Sequence, residues 1–464
     1  MRAARAALVV ITALLVSIMA YAIAMRVAYP FELEWMEGEM AVHVARLLRA
    51  EPLYMRPTIS FVPFAYPPLY YYASFSLAWF MDAGLLPLRI VSIAATAITL
   101  LTIVAIVRPV SGWIAAGAAC AAFAGAYAAS DGWYDLGRVD SLYAALLALC
   151  YLAAVRATSG RHWALAGTLA ALAFMTKQPA LMAVVPFAAS LLVFDRRGAL
   201  WFCATFGVLA GSAVLLITIL TDGWYWYYVF DVPRLRLGVS AGSGRILSFW
   251  TSDLMPLALA VLGGTVVVMR RREWRHVALL SGLIVSAWLS RLEGGAWNNT
   301  VMPAYLAAAI LLGLMLRPNE SAPLARHGLA IVQLVVLLYD PRPFIPRAQQ
   351  SVEGEMFLHS LQSMRTPVLV LDHGYWSTQA GLPECAHGWA ITDVVWADRR
   401  ETGLALESEI RDAITQQRFA TIVLDDERSW FFKDIDQHYR RTGEIIAPAP
   451  LSGAARRPRF VYER

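Results

Sequence analysis

The chain has 464 residues, of which 58% are hydrophobic and only 16% charged, and its mean hydropathy is +0.53. A soluble protein carries roughly a quarter charged residues, so a wholly soluble chain is excluded. The net charge of +5 sits in short arginine clusters without a basic, aromatic-interleaved stripe, which excludes nucleic acid as a partner.

Arg2 and Arg5 precede the apolar run Ala6–Ala24. That run exceeds the roughly 7–15-residue core of a cleaved signal, which predicts an uncleaved first helix. Spans of about 17–25 residues then place membrane helices near 6–28, 86–107, 112–130, 141–156, 162–176, 179–194, 199–220, 253–269, 275–290, 300–316 and 326–339. The aromatic segment Leu69–Met81 is too short to cross and is assigned to the interface.

With that assignment Arg2/Arg5, Arg108, Arg156/Arg161, Arg196/Arg197, Arg270–Arg272 with Arg275, and Arg317/Arg326 all fall inside, as the positive-inside rule requires. Letting 69–81 cross puts every one of them outside. The external face then collects ELEWMEGEM (Glu32–Met40), SDGWYDLGRVD (Ser130–Asp140), Thr176–Gln178, the loop Thr221–Thr251 and SRLEGGAWNN (Ser290–Asn299). It also receives the polar tail.

After Glu37, Met40, Val44, Leu47 and Leu48 recur at helical spacing with His43, Arg46 and Arg49 between them, predicting an amphipathic helix on the membrane surface with His43 interfacial. In the tail, PVLVLD (Pro367–Asp372) and TIVLDD (Thr421–Asp426) read as buried strands flanking a helix over Ala405–Gln417. The expected fold is therefore an α-helical integral membrane protein of about eleven transmembrane helices (residues 1–340). Surface helices occupy its first external loop, and a small extracytoplasmic α/β domain (341–464) follows.

Carboxylates are the leading candidates for chemistry. Glu37, with Glu34 and Glu39 beside it, follows the first helix, and Asp140 opens the fourth. Two carboxylates from separate loops can deprotonate an acceptor hydroxyl and steer it to a sugar carbon; a carboxylate at a helix start also serves as a cap. Lys177 stands out because Lys433 is the only other lysine. An external ammonium suits a phosphate, against the plainer reading of a snorkelling lysine. Arg138 and Arg291 are further external cations, Gln178 follows Lys177, and Tyr66 opens YPPLYYY. Glu293, paired glycines and Asn298/Asn299 allow close backbone approach and hydrogen bonds to sugar or phosphate oxygens. No HExxH, GxSxG, Walker or zinc spacing occurs, and the four cysteines form no metal motif.

This arrangement resembles the GT-C membrane glycosyltransferases, which include the protein O-mannosyltransferases and the lipid A aminoarabinose transferases. EGEMAVHVARLL is similar to their DE-x-x-YA-x-x-AR pattern and puts Glu37 at the catalytic position; Glu34 and Glu39 remain open alternatives. LGRVDSLYAALL is similar to the later segment whose aspartate is Asp140 here, and EPLY, YPPLYYY and TKQP recur in such proteins. The resemblance implies an enzyme of the plasma (inner) membrane. It would move a hexosyl or pentosyl group from a polyprenyl-phosphate carrier to an external glycan, lipid or protein acceptor, with inversion. It leaves a divalent metal, Mg or Mn, open. The competing class is a transporter or flippase of lipid-linked glycans, which calls for ionisable residues along a mid-membrane path.

Overall fold

The protein is described here from a computed structural model covering residues 1–81, 83–236, 243–318, 320–427 and 434–464. Part of the loop Thr221–Thr251 and Lys433 lie outside the described residues. Each of the eleven apolar segments is largely helical. Five helical stretches are long and apolar enough to cross a membrane: Arg2–Arg26, Leu85–Ala129, Arg196–Leu220, Arg245–Arg270 and Asn298–Met315.

In chain order the first eight helices are α1 (Arg2–Arg26), α2 (Glu37–Leu48), α3 (Leu69–Ala78), α4 (Leu85–Ala129), α5 (Asp140–Val155), α6 (Gly160–Thr176), α7 (Ala180–Phe194) and α8 (Arg196–Leu220). α4 is two helices joined at a break. Pro109 removes a backbone donor, and Gly112 turns the chain at φ +82°, a conformation that costs glycine little. The alanine-rich second half of α4 is buried almost throughout, as close packing of helices in lipid favours. At the centre, Met302–Met315 is buried along its whole length against α4 and the helices Ala258–Arg270 and Trp274–Arg291. α8 is the opposite case: Leu200, Leu215 and Leu220 are exposed, as a lipid-facing helix requires.

One end of the bundle holds the basic loops. Arg317 pairs with Glu273 at 2.5 Å, Arg275 lies 3.7 Å from Asp195, and Arg156 donates to the carbonyl of Ala105. The acidic motifs meet at the other end, under the tail. The tail builds a four-stranded sheet, ordered β1 (Val368–Val370), β2 (Thr421–Leu424), β4 (Phe460–Glu463) and β3 (Arg440–Glu444). β1 and β2 are parallel, with Val368 opposite Thr421, so a long crossover must join them. Helices Gly388–Ala397 and Thr402–Thr415 lie in that crossover.

α2 departs from the sequence reading. Nine of its twelve residues, from Glu37 to Arg46, are buried, so it is not a helix on the membrane surface. Its polar side meets the tail: Arg46 pairs with Glu384 at 2.9 Å, and the helix Gly374–Gln379 packs on it. His43 is likewise buried rather than interfacial. Burial holds its imidazole down to about 3, hence neutral, with Nδ1 against the carbonyl of Glu39 and Nε2 accepting from the Phe64 amide.

At Gly38, α2 and the tail are in close contact. A Cβ there would come within 2.4 Å of the Tyr375 Cβ and 2.1 Å of Glu32 Oε1. Gly38→Val is therefore expected to cost about 1–3 kcal/mol by overpacking and to loosen the tail. Limited proteolysis should cut residues beyond 341 several-fold faster, whereas Gly211→Val, whose Cβ would meet nothing within 4 Å, should leave the pattern unchanged.

Candidate functional site

The four glutamates of ELEWMEGEM point in four directions. Glu37 turns into the bundle and meets Arg89 through two contacts of 2.9 and 2.8 Å, both side chains fully buried. Its oxygens also accept from the amides of Gly137 (2.7 Å) and Leu33 (2.9 Å). Burial pushes this carboxyl up, but Arg89 and the amide donors outweigh it and hold Glu37 below the ordinary carboxylate value. Glu37, the acid favoured by the motif, is thus a saturated structural anion and faces no cavity.

Glu39 is buried beneath the tail, and its oxygens accept no hydrogen bond among the described residues. Burial, reinforced by Glu384 and Glu32, raises its carboxyl well above the usual range and keeps it uncharged. Glu32 faces the tail: its Oε2 accepts from Trp376 Nε1 at 2.9 Å and lies 2.8 Å from His373 Nδ1.

Glu34 alone of the four lines a cavity of about 560 Å³ at the end of the bundle away from the basic loops. Arg138 pairs with it at 2.9 Å and donates to the Tyr66 hydroxyl at 3.2 Å. Burial pushes the Glu34 carboxyl up to about 7 despite the adjacent guanidinium. Lys177, Gln178, Tyr66 and Glu293 line the same cavity.

Asp140 stands one layer behind. Its Oδ1 accepts from Lys177 Nζ (2.6 Å) and Asn299 Nδ2 (3.1 Å), and its Oδ2 from Trp133 Nε1 (2.9 Å). All three donors line the cavity while Asp140 does not. It therefore holds three residues of the cavity wall without facing the cavity itself. Burial alone would strip the charge from Lys177; Asp140 overrides this, so the ammonium stays cationic.

The remaining candidates divide. Gln178 lines the wall, but its amide is engaged by the carbonyls of Ala65 (2.6 Å) and Val229 (3.2 Å). Arg291 does not reach the cavity. It pairs with Asp253 at 2.8 Å, donates to the carbonyl of Ala296 and contacts Asn298, shaping the loop that presents Glu293 and Asn299. Asn299 therefore takes the place expected for Asn298.

The arrangement does not suit a divalent metal. Among the described residues no three His, Cys, Asp or Glu side chains gather as ligands. Glu34 reaches the cavity beside a guanidinium, which opposes a second cation.

The family model of dolichyl-phosphate-mannose-protein mannosyltransferases matches residues 65–226, about a third of the chain, including Tyr66, Arg138, Asp140 and Lys177. No curated protein sequence matches significantly. Among solved structures, ArnT from Cupriavidus metallidurans superposes with a TM-score of 0.62 at 12% identity, covering 98% of this chain and 97% of that one. The same values hold for its complex with undecaprenyl phosphate and for its apo state. The chain therefore shares the fold of ArnT. The archaeal oligosaccharyltransferase AglB from Archaeoglobus fulgidus aligns less closely, at a TM-score of 0.48, 11% identity, and 89% and 69% coverage.

Within this fold, several residues of the cavity and its surroundings escaped the sequence reading. Arg89 left a signal, a lone arginine inside an apolar run. Trp133 sat unremarked in SDGWYDLGRVD. Trp389, Asp393 and Arg456, which also line the cavity, come from the tail and left none.

Breaking a buried ion pair from one side costs about 3–5 kcal/mol. Glu37→Gln is therefore expected to lower the melting temperature of the detergent-purified protein substantially. Glu34→Gln should lower it less, because Arg138 borders the cavity and can be hydrated. Fluorescence-monitored thermal unfolding of the two variants measures the difference.

Proposed function

We propose that this multi-pass membrane protein transfers a hexosyl or pentosyl group from a polyprenyl-phosphate carrier to an external acceptor, inverting the anomeric carbon. The observation that carries this reading is a single cavity holding Glu34, poised near neutrality, beside the cations Lys177 and Arg138. The GT-C fold and the partial mannosyltransferase match support it. Eleven crossings of the plasma (inner) membrane, with the basic loops inside and the cavity and tail outside, complete the proposal. The clustering of the basic loops at the end away from the cavity supports that orientation.

In the proposed reaction the acceptor hydroxyl oxygen attacks the anomeric carbon as the bond from that carbon to the phosphate oxygen breaks. Glu34 takes the hydroxyl proton, and the carrier phosphate leaves with the bonding electron pair. Lys177 meets that developing charge, held in place by Asp140, and Arg138 adds to the positive field. The protein itself supplies the proton acceptor and the counter-charges.

Two measurements test this. With a synthetic undecaprenyl-phosphate hexose as donor, Glu34→Gln is expected to reduce transfer by about 10²–10⁴-fold, the usual worth of a general base, while carrier binding persists; full activity would sink the assignment. Activity should rise with pH as Glu34 loses its proton around about 7. Arg138 lowers the Glu34 value, so Arg138→Gln should move that limb to higher pH. At the cellular scale, mass spectrometry of envelope glycans with and without the gene should show a difference of one sugar; no glycan change would overturn the reading.

A further inference from the structure

We infer that the C-terminal domain builds the acceptor subsite of this cavity and that the acceptor is a saccharide; this rests on the transferase reading above. The cavity lining has two unlike parts. Lys177, Gln178 and Pro179 at the α6–α7 junction come from the bundle, and the proposed function assigns the lipid-borne phosphate to them. Another part of the lining is made by the tail and by the loops it covers. There Trp389 and Asp393 stand one helical turn apart on Gly388–Ala397, sharing a face that lines the cavity.

The aromatic surfaces in this part are held in place. Trp389 meets the edge of Trp35 with centroids 5.9 Å apart at 77°, and the Arg456 guanidinium lies 5.2 Å over Trp35. Beside the tail loop, Trp297 is 41% exposed, and its Nε1 is fixed at 2.9 Å by Asp131, which also accepts from the Gly453 amide. Four of the chain's sixteen tryptophans (Trp35, Trp133, Trp297 and Trp389) line this one cavity. Such a concentration marks a site that binds flat, weakly polarised faces.

A pyranose presents such faces. Its axial C–H bonds suit the negative face of an indole, while its hydroxyls both donate and accept. The carboxylates of Asp393 and Glu293 bring acceptor oxygens to the lining and the Arg456 guanidinium brings donors, so the wall holds groups of both kinds. An extended peptide acceptor would instead seek backbone pairing along a sheet edge, and no residue of β1–β4 lines the cavity. The tail loop is held over the site by its own backbone: the amides of Leu451 and Ser452 donate to the Leu33 carbonyl, and that of Gly453 to Asp131 at 2.7 Å. This carries Ala454 and Arg456 to the rim.

Saturation-transfer NMR on the full chain in nanodiscs tests the inference, with methyl α-D-mannopyranoside and methyl α-D-glucopyranoside as probes. Ring protons of at least one glycoside should receive saturation from the wild-type protein. Trp389→Ala and Asp393→Asn should each weaken the signal about fivefold, as expected for one lost aromatic or polar contact, and Lys177→Gln should not. Undecaprenyl phosphate binding should be unchanged in the two tail variants, which shows that they are folded, and weakened in Lys177→Gln. If the carrier binds but no glycoside does, or a serine/threonine peptide gives the tail-dependent signal instead, the saccharide inference is overturned and the transferase reading stands. If the carrier itself does not bind the wild type, the transferase reading falls and this inference with it.

Discussion

The site depends on the buried pair of Arg89 and Glu37. A guanidinium taken out of water costs several kcal/mol unless its donors are filled, and here they are. Arg89 meets both oxygens of Glu37 and donates to the carbonyls of Arg26, Val27, Tyr29 and Phe31. Four carbonyls and one carboxylate from residues 26–37 thus converge on one side chain of α4. The chain leaving α1 has little freedom about its path, and that path decides where the neighbouring glutamates point. Glu32 goes to the tail and Glu34 to the cavity.

Three further buried pairs repeat the device around the cavity: Arg26 with Asp135 at 3.0 Å, Arg138 with Glu34, and Lys177 with Asp140. Each joins separate loops or helices at the end of the bundle that carries the cavity. Removing one partner strands the other, so these contacts define a geometry more than they add net stability. The distinction that matters for chemistry is access. Glu34, Arg138 and Lys177 border open space, whereas Glu37, Arg89, Arg26 and Asp135 are enclosed.

The tail is tied to the same motif through charge. His373 lies between Glu32 and Asp425, at 2.8 and 3.2 Å. Burial disfavours its charge, but Asp425 and Glu32 outweigh that and hold the imidazole well above its ordinary value, as a cation. A cation between two carboxylates, one from each part of the chain, makes docking specific. It explains how a polar domain comes to roof a cavity at the end of a helix bundle, and why α2 is a buried helix beneath it.

Much was legible without coordinates. Apolar run lengths and arginine placement set the membrane class and sorted the loops into two groups, because the bilayer imposes length and charge rules on local sequence. Spacing singled out the acidic motif, Asp140, Lys177 and Arg138, and strand composition found β1 and β2. The roles of those carboxylates were not legible. Glu34 and Glu37 are three residues apart and chemically identical, yet one opens on the cavity and the other is neutralised. What separates them is a partner 104 residues away for Glu34 and 52 away for Glu37, with Glu32 answering to a histidine 341 residues on. Acidity and exposure depend on desolvation and on charges brought close by folding, so the sequence by itself determined the membrane class and the motif, and the tertiary structure decided which of its carboxylates opens on the cavity.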